Sequence, residues 1–162
     1  MKYRGYIFEI EVNKKAFQDA YSKYSKNVEA EEEQIVSDSF YGLHPEIYTK
    51  CISLYESGAY AEAVEKSFKT VKDRLRNLTG YERAFEAFGK GNLHIKGAAA
   101  ENVDKDFNEG VKFLTMAIDM FRNEKSHTSD AKIEDPVRAH QYLSMSSLAL
   151  YLLEQGEIKN KK

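Results

Sequence analysis

Residues 6–12 alternate, with Phe8, Ile10 and Val12 on one side and Glu9 and Glu11 on the other. This two-residue period predicts a half-buried strand. The period then changes. Over residues 14–37, Phe17, Ala20, Tyr21, Tyr24 and Val28 recur at helical spacing and the run closes on Glu31-Glu32-Glu33. That segment predicts a polar helix, and its acidic run reads as a solvated face in preference to a nucleic-acid mimic. Residues 1–42 therefore form an amino-terminal arm of short strand plus helix.

A second region spans 43–155. Pro45 suits a first helical turn, where its missing N–H is no loss, and Ile47, Cys51, Leu54 and Tyr55 make a buried stripe that ends before Gly58. A long helix follows from Tyr60 to about Leu78. Its Val64, Phe68, Val71, Leu75 and Leu78 cluster on one sharply defined face. Residues 81–88 predict a short helix, and the Gly- and Ala-rich stretch 89–102 predicts a loop. Phe107, Val111, Leu114, Ile118 and Phe121 step by four, three, four and three, and Phe113, Met116, Ala117 and Met120 widen that apolar surface. The pattern predicts a helix buried on more than one side, breaking near Asn123 to Asp130. The last helix starts at Asp135-Pro136, an N-cap followed by a first-turn proline, and runs to about Glu154 with Tyr142, Met145, Ala149 and Leu152 as its stripe. Four main helices on short connections predict an all-α bundle, followed by a polar tail over 156–162.

Composition narrows the setting. In 162 residues, 42% are hydrophobic and 31% charged, a balance that folds into one main core. No apolar stretch is long enough to span a bilayer and no signal-peptide core follows Met1, so the cytoplasm is the expected address. The single Cys51 has no disulfide partner and reads as a buried thiol. The net charge of −2 supplies no global field for nucleic acid, so any RNA contact must come from local cations.

The chemistry concentrates in Phe121-Arg122-Asn123-Glu124-Lys125-Ser126-His127, directly after the most apolar helix. In an unbroken helix Arg122 and His127 would lie about 140° apart, so a joint site needs the helix to end between them. Histidine titrates near neutral pH and serves as general base or acid, and a guanidinium presents a fixed fork matched to phosphate oxygens. A competing reading has Arg122 neutralising the helix carboxyl end, Asn123 capping it and His127 as an ordinary loop residue.

Arg-Asn-x-x-x-His at the end of a bundle helix resembles the signature of the HEPN superfamily, many of whose members are metal-independent ribonucleases. More narrowly, Leu43-His44-Pro45-Glu46-Ile47, the run from Tyr55 to Val64, Phe121-Arg122-Asn123 and Glu134-Asp135-Pro136 are similar to the Ymh-type hypothetical proteins of prophages and mobile elements. The resemblance implies a HEPN-like bundle that cleaves single-stranded RNA by attack of a ribose 2′-hydroxyl on the adjacent phosphate, in a toxin or antiphage defence setting. Arg122, Asn123 and His127 are then the catalytic residues, with no metal or other cofactor. It also implies a homodimer whose two copies share a composite site, and an antitoxin or regulatory protein that restrains it. HEPN toxins paired with nucleotidyltransferase antitoxins carry a tyrosine two positions after the histidine; Ser129 stands there in this chain. A catalytically silent module that binds RNA or nucleotide, and a structural dimerisation protein of a mobile element, are the alternatives.

Other signals are weaker. Lys66, Lys69, Lys72 and Arg76 share an arc of the long helix with Glu62, Glu65 and Asp73, a pattern that fits a salt-bridged solvent face better than a phosphate-tracking stripe. Lys69 and, inside the signature, Lys125 are the expected RNA contacts. Gly89-Lys90-Gly91-Asn92 lacks the spacing of a phosphate-binding loop, and His44, His94 and His140 have no close-spaced partners, which predicts lone loop or surface histidines and no metal site.

Overall fold

The computed structural model of the chain describes residue 15 and residues 18–23, 40–126 and 133–159, the side chains of 123–126 excepted. The chain divides into two units, Met1–Gly42 and Leu43–Lys162. In the first, residues 18–23 are helical and exposed; the expected strand over 6–12 lies outside the described residues. The rest of this section concerns the second unit.

Helix α1 (Pro45–Glu56) starts on a cap that the sequence hid. His44 is only 4% exposed. Its Nδ1 accepts from the backbone N–H of Glu46 (3.2 Å), so the ring proton sits on Nε2 and is donated to Glu154 Oε1 at 3.0 Å. The backbone N–H of His44 donates to Ser147 Oγ (2.7 Å), and the ring lies edge-on to Tyr151 at 4.8 Å. This corrects the expectation of a lone surface histidine: one imidazole fastens the start of α1 to the end of the last helix. Ile47 and Cys51 are fully buried, and burial pushes the Cys51 thiol up to about 11, which keeps it protonated and inert.

Helix α2 (Tyr60–Thr79) buries Val64, Phe68, Val71 and Leu75 as its period requires. It stops at Gly80, whose φ of 81° is the left-handed conformation that closes a helix, with its N–H bonded to Arg76 O at 2.7 Å. Helix α3 (Ala84–Gly89) is shorter than the expected 81–88 and begins three residues later. At Gly91 the chain passes so close to α3 that a Cβ there would lie 2.6 Å from the Ala87 carbonyl oxygen, so only glycine fits.

Two very short strands, β1 (Leu93–Ile95) and β2 (Gly156–Ile158), pair antiparallel with His94 opposite Glu157. They fall in the stretches expected to be loop and polar tail. Three residues are too few to display a period of two. The outer edge of β1 is closed by Asn108, whose Oδ1 accepts from Ile95 N (2.7 Å) while Nδ2 donates to Ile95 O (3.1 Å).

After a 3₁₀ turn at Glu101–Val103, helix α4 runs Asp104–Ser126, through Asn123. The helix extends to Ser126, within the stretch from Asn123 to Asp130 in which the break is expected. The expected two-sided burial does not occur. Val111, Thr115 and Ile118 are buried, Leu114 is half-buried, and Phe113 and Met120 are each 63% exposed.

Helix α5 (Pro136–Leu153) is the element enclosed on several sides, with Ala139, Tyr142, Leu143, Ser146, Ser147, Ala149, Leu150 and Leu153 all buried. Asp135 caps it by accepting from Val137 N (2.9 Å). It packs chiefly against α2, where small residues allow close approach. There Ser67 Oγ donates to Val64 O (2.8 Å), which makes Ser146 the donor to Ser67 across the interface (3.0 Å). The architecture is thus an all-α bundle with a minimal two-stranded sheet at one end. Among the described residues no helix is long and apolar enough to cross a membrane.

Candidate active site

Arg122 owes its orientation to helical period. Val111, Thr115, Ile118 and Arg122 step by four, three and four, so the guanidinium continues the buried stripe of α4 while Phe121 stands beside it. The helix is held to α2 one turn earlier. Lys72, on α2, pairs with Asp119 at 3.2 Å and with Glu82 at 3.8 Å, and Arg76 bonds to the same Glu82 and to Asp73 at 3.5 Å. Hydrogen bonding from Arg76, assisted by the charges of Lys72 and Arg122, holds the Glu82 carboxyl below its ordinary range. Lys72 and Arg76 are therefore committed to ion pairs, as the salt-bridged reading of that face requires.

Between α2, the end of α4 and the approach to α5 lies a cleft of about 240 Å³, lined by Ala61, Val64, Glu65, Phe68, Phe121, Arg122 and Ile133. The α2 contributors stand at i, i+3, i+4 and i+7, one continuous stripe with Glu65 at its edge. Phe121, 42% exposed, is fixed by a tilted contact with the Tyr142 ring at 5.4 Å, and Phe68 meets the same ring edge-on at 5.4 Å. Arg138 in turn bonds Tyr142 Oη through Nη2 at 3.0 Å. Among the described residues the walls are apolar and aromatic, and the charged groups lining the cleft are one guanidinium and one carboxylate. Such a surface accepts a flat apolar group joined to an anion.

Of the residues expected to form the site, Arg122 lines the cleft. The side chains of Asn123 and Lys125 and the whole of His127 lie outside the described residues, as do 128–132. Lys69 is exposed on α2 one turn beyond Glu65 and does not line the cleft. His94 approaches Asp104 at 3.4 Å at the far end of α4, and no group of three His, Cys, Asp or Glu able to hold a metal occurs among the described residues. Glu65, expected on a solvated face, is exposed and stands at the rim of the cleft.

Fold and cleft together define a small helical bundle with an arginine-lined apolar cleft at the end of its fourth helix. Residues 41–153 match the family model described as "Protein of unknown function (Hypoth_ymh)", and the chain belongs to that family. No curated protein and no solved structure matches it.

Proposed function

We propose that this protein is a metal-independent endoribonuclease of HEPN type that cleaves single-stranded RNA in a toxin or antiphage defence setting. The observation that carries the reading is the position of Arg122, turned inward on the last turns of α4 at a cleft with aromatic walls. A cation there meets a phosphate oxygen and stabilises the extra charge of a pentacovalent phosphorus transition state. His127, five residues on, supplies the proton transfer, and Asn123 orients it or the phosphate. Base and acid are both needed, to deprotonate the attacking 2′-hydroxyl and to protonate the leaving 5′-oxygen. Two copies of the Arg122 and His127 pair in one homodimer provide both. The exposed Phe113 and Met120 on the outer face of α4 are apolar surface suited to that association.

The test is cleavage of mixed RNA by purified protein in EDTA. His127→Ala is expected to lower the rate by about 10²-fold or more with folding intact, and Arg122→Lys to be damaging because a point charge replaces the fork. Products carry a 2′,3′-cyclic phosphate. A requirement for Mg²⁺, or full activity without His127, refutes the mechanism. RNA binding without cleavage under any condition makes the silent module the better reading.

A further inference from the structure

Resting on the homodimer of that reading, we infer that two copies pair along the outer stripe of α4, where Phe113 and Met120 are knobs and Gly110 and Ala117 are the holes that receive them. Gly110, Phe113, Ala117 and Met120 step by three, four and three. At 100° per residue they fall within an arc of about 80°, on the side of α4 away from the buried Val111, Thr115 and Ile118. This is the spacing by which one helix lies along another. Phe113 and Met120 are each 63% exposed, Gly110 is exposed and Ala117 is half-buried.

Gly110 is the member of the stripe that the single protomer does not account for. Glycine inside a helix weakens it relative to alanine. That loss goes with a backbone that needs the freedom or with a neighbour too close for a side chain. Residue 110 lies within regular helix, and a Cβ built there would meet nothing within 4 Å among the described residues. A second helix laid on the stripe supplies the close neighbour. Its identity follows from the stripe, which fits itself. Large and small residues alternate along it, so each bulky side chain of one helix enters the gap beside a small residue of the other. A two-fold pair uses the same patch on both sides, and a patch carrying knobs and holes together meets that condition without any other sequence. Charge agrees. The four residues are uncharged, and on their flank Glu109 and Lys112 pair with one another at 3.1 Å, so nothing there calls for a charged partner. Asp106, one turn before Gly110, ends the stripe, which makes the seam short and the dimer reversible.

Sedimentation equilibrium of the full chain across the micromolar range tests the seam independently of cleavage. The parent is expected to dissociate on dilution. Gly110→Leu should raise the dissociation constant about tenfold or more, because a bulky side chain fills the hole, while the melting temperature of the dilute protomer does not fall. Added apolar surface ordinarily favours association, so weakening is the outcome that only close packing explains. Val137→Ser removes an apolar residue equally exposed, at 63%, on α5 and should leave the constant unchanged. A parent that stays monomeric throughout, a dimer that Gly110→Leu leaves as tight, or one that Val137→Ser weakens as much overturns the inference. A dimer that behaves as expected but cuts no RNA supports the seam and defeats the nuclease reading. Cleavage in EDTA by a dimer indifferent to Gly110→Leu defeats the seam alone.

Discussion

Helices α4 and α5 are both rich in apolar residues, and each leaves some of them exposed: Phe113 and Met120 on α4, Val137 and Leu148 on α5. On α4 the apolar side chains cover a wide arc, yet among its described side chains only Val111, Thr115 and Ile118 are buried. On α5 the apolar residues are interrupted by serines and alanines, yet Ser146, Ser147, Ala139 and Ala149 are as deeply buried as Leu143 and Leu150. Small residues at the contact let α2 and α5 pack closely, whereas a wide face of bulky ones cannot all be covered in a bundle this small. On the proposed dimer reading, Phe113 and Met120 are the surface that a second copy covers.

The largest effect expected from this contrast is on α5. Leu150→Ala, at a fully buried position, should cost about 2 to 5 kcal/mol in urea unfolding. A variant that unfolds like the parent would remove α5 from the centre of the core. Ile118→Ala should approach the lower end of that range, whereas half-buried Leu114→Ala should cost less, roughly 1 to 2 kcal/mol. Equal losses at Leu114 and Ile118 would mean that the two sides of α4 are not distinct.

On the outer face the sign of the prediction changes. Phe113→Ser with Met120→Ser should leave the unfolding free energy of the protomer within about 0.5 kcal/mol per site while shifting sedimentation toward monomer. Loss of folding with no change in assembly would refute the assignment of that face.

The smallest effect separates charge from packing, and lies on α1. A hydrogen bond from Lys50 (2.6 Å), with Arg74 at 3.0 Å adding to it, holds the Glu46 carboxyl below its ordinary range. A depressed carboxyl stabilises the fold above the unfolded-state value and loses that contribution as pH falls through the lower folded value. Glu46→Gln should therefore lower stability at pH 7 by roughly a few tenths of a kcal/mol, given its partial exposure, and have no effect once the pH lies below the folded value. A deficit that persisted in strong acid would indicate lost packing.

Most of the bundle was legible in the sequence because α1, α2 and α5 carry strong local signals: Pro45, Gly80, the Asp135-Pro136 cap and the stripe from Val64 to Leu75. The two-stranded sheet was not, since strands of three residues have no readable period and the partners lie far apart in the chain. Arg122 was legible as chemistry, but that it lines a cleft with Ala61, Val64 and Phe68 depends on how α2 packs against α4. His44 was missed because a polar residue just before a helix looks like solvent-facing surface until the opposing element, here the end of α5, is known.

The pairing of β1 with β2 has a consequence for synthesis. β1 emerges from the ribosome well before its partner, and until Gly156–Ile158 follow, one of its edges has no strand to pair with. The other edge need not wait, because Asn108 belongs to the next element made. The side-chain amide thus acts as an early guard on a strand that would otherwise present both edges to neighbouring nascent chains.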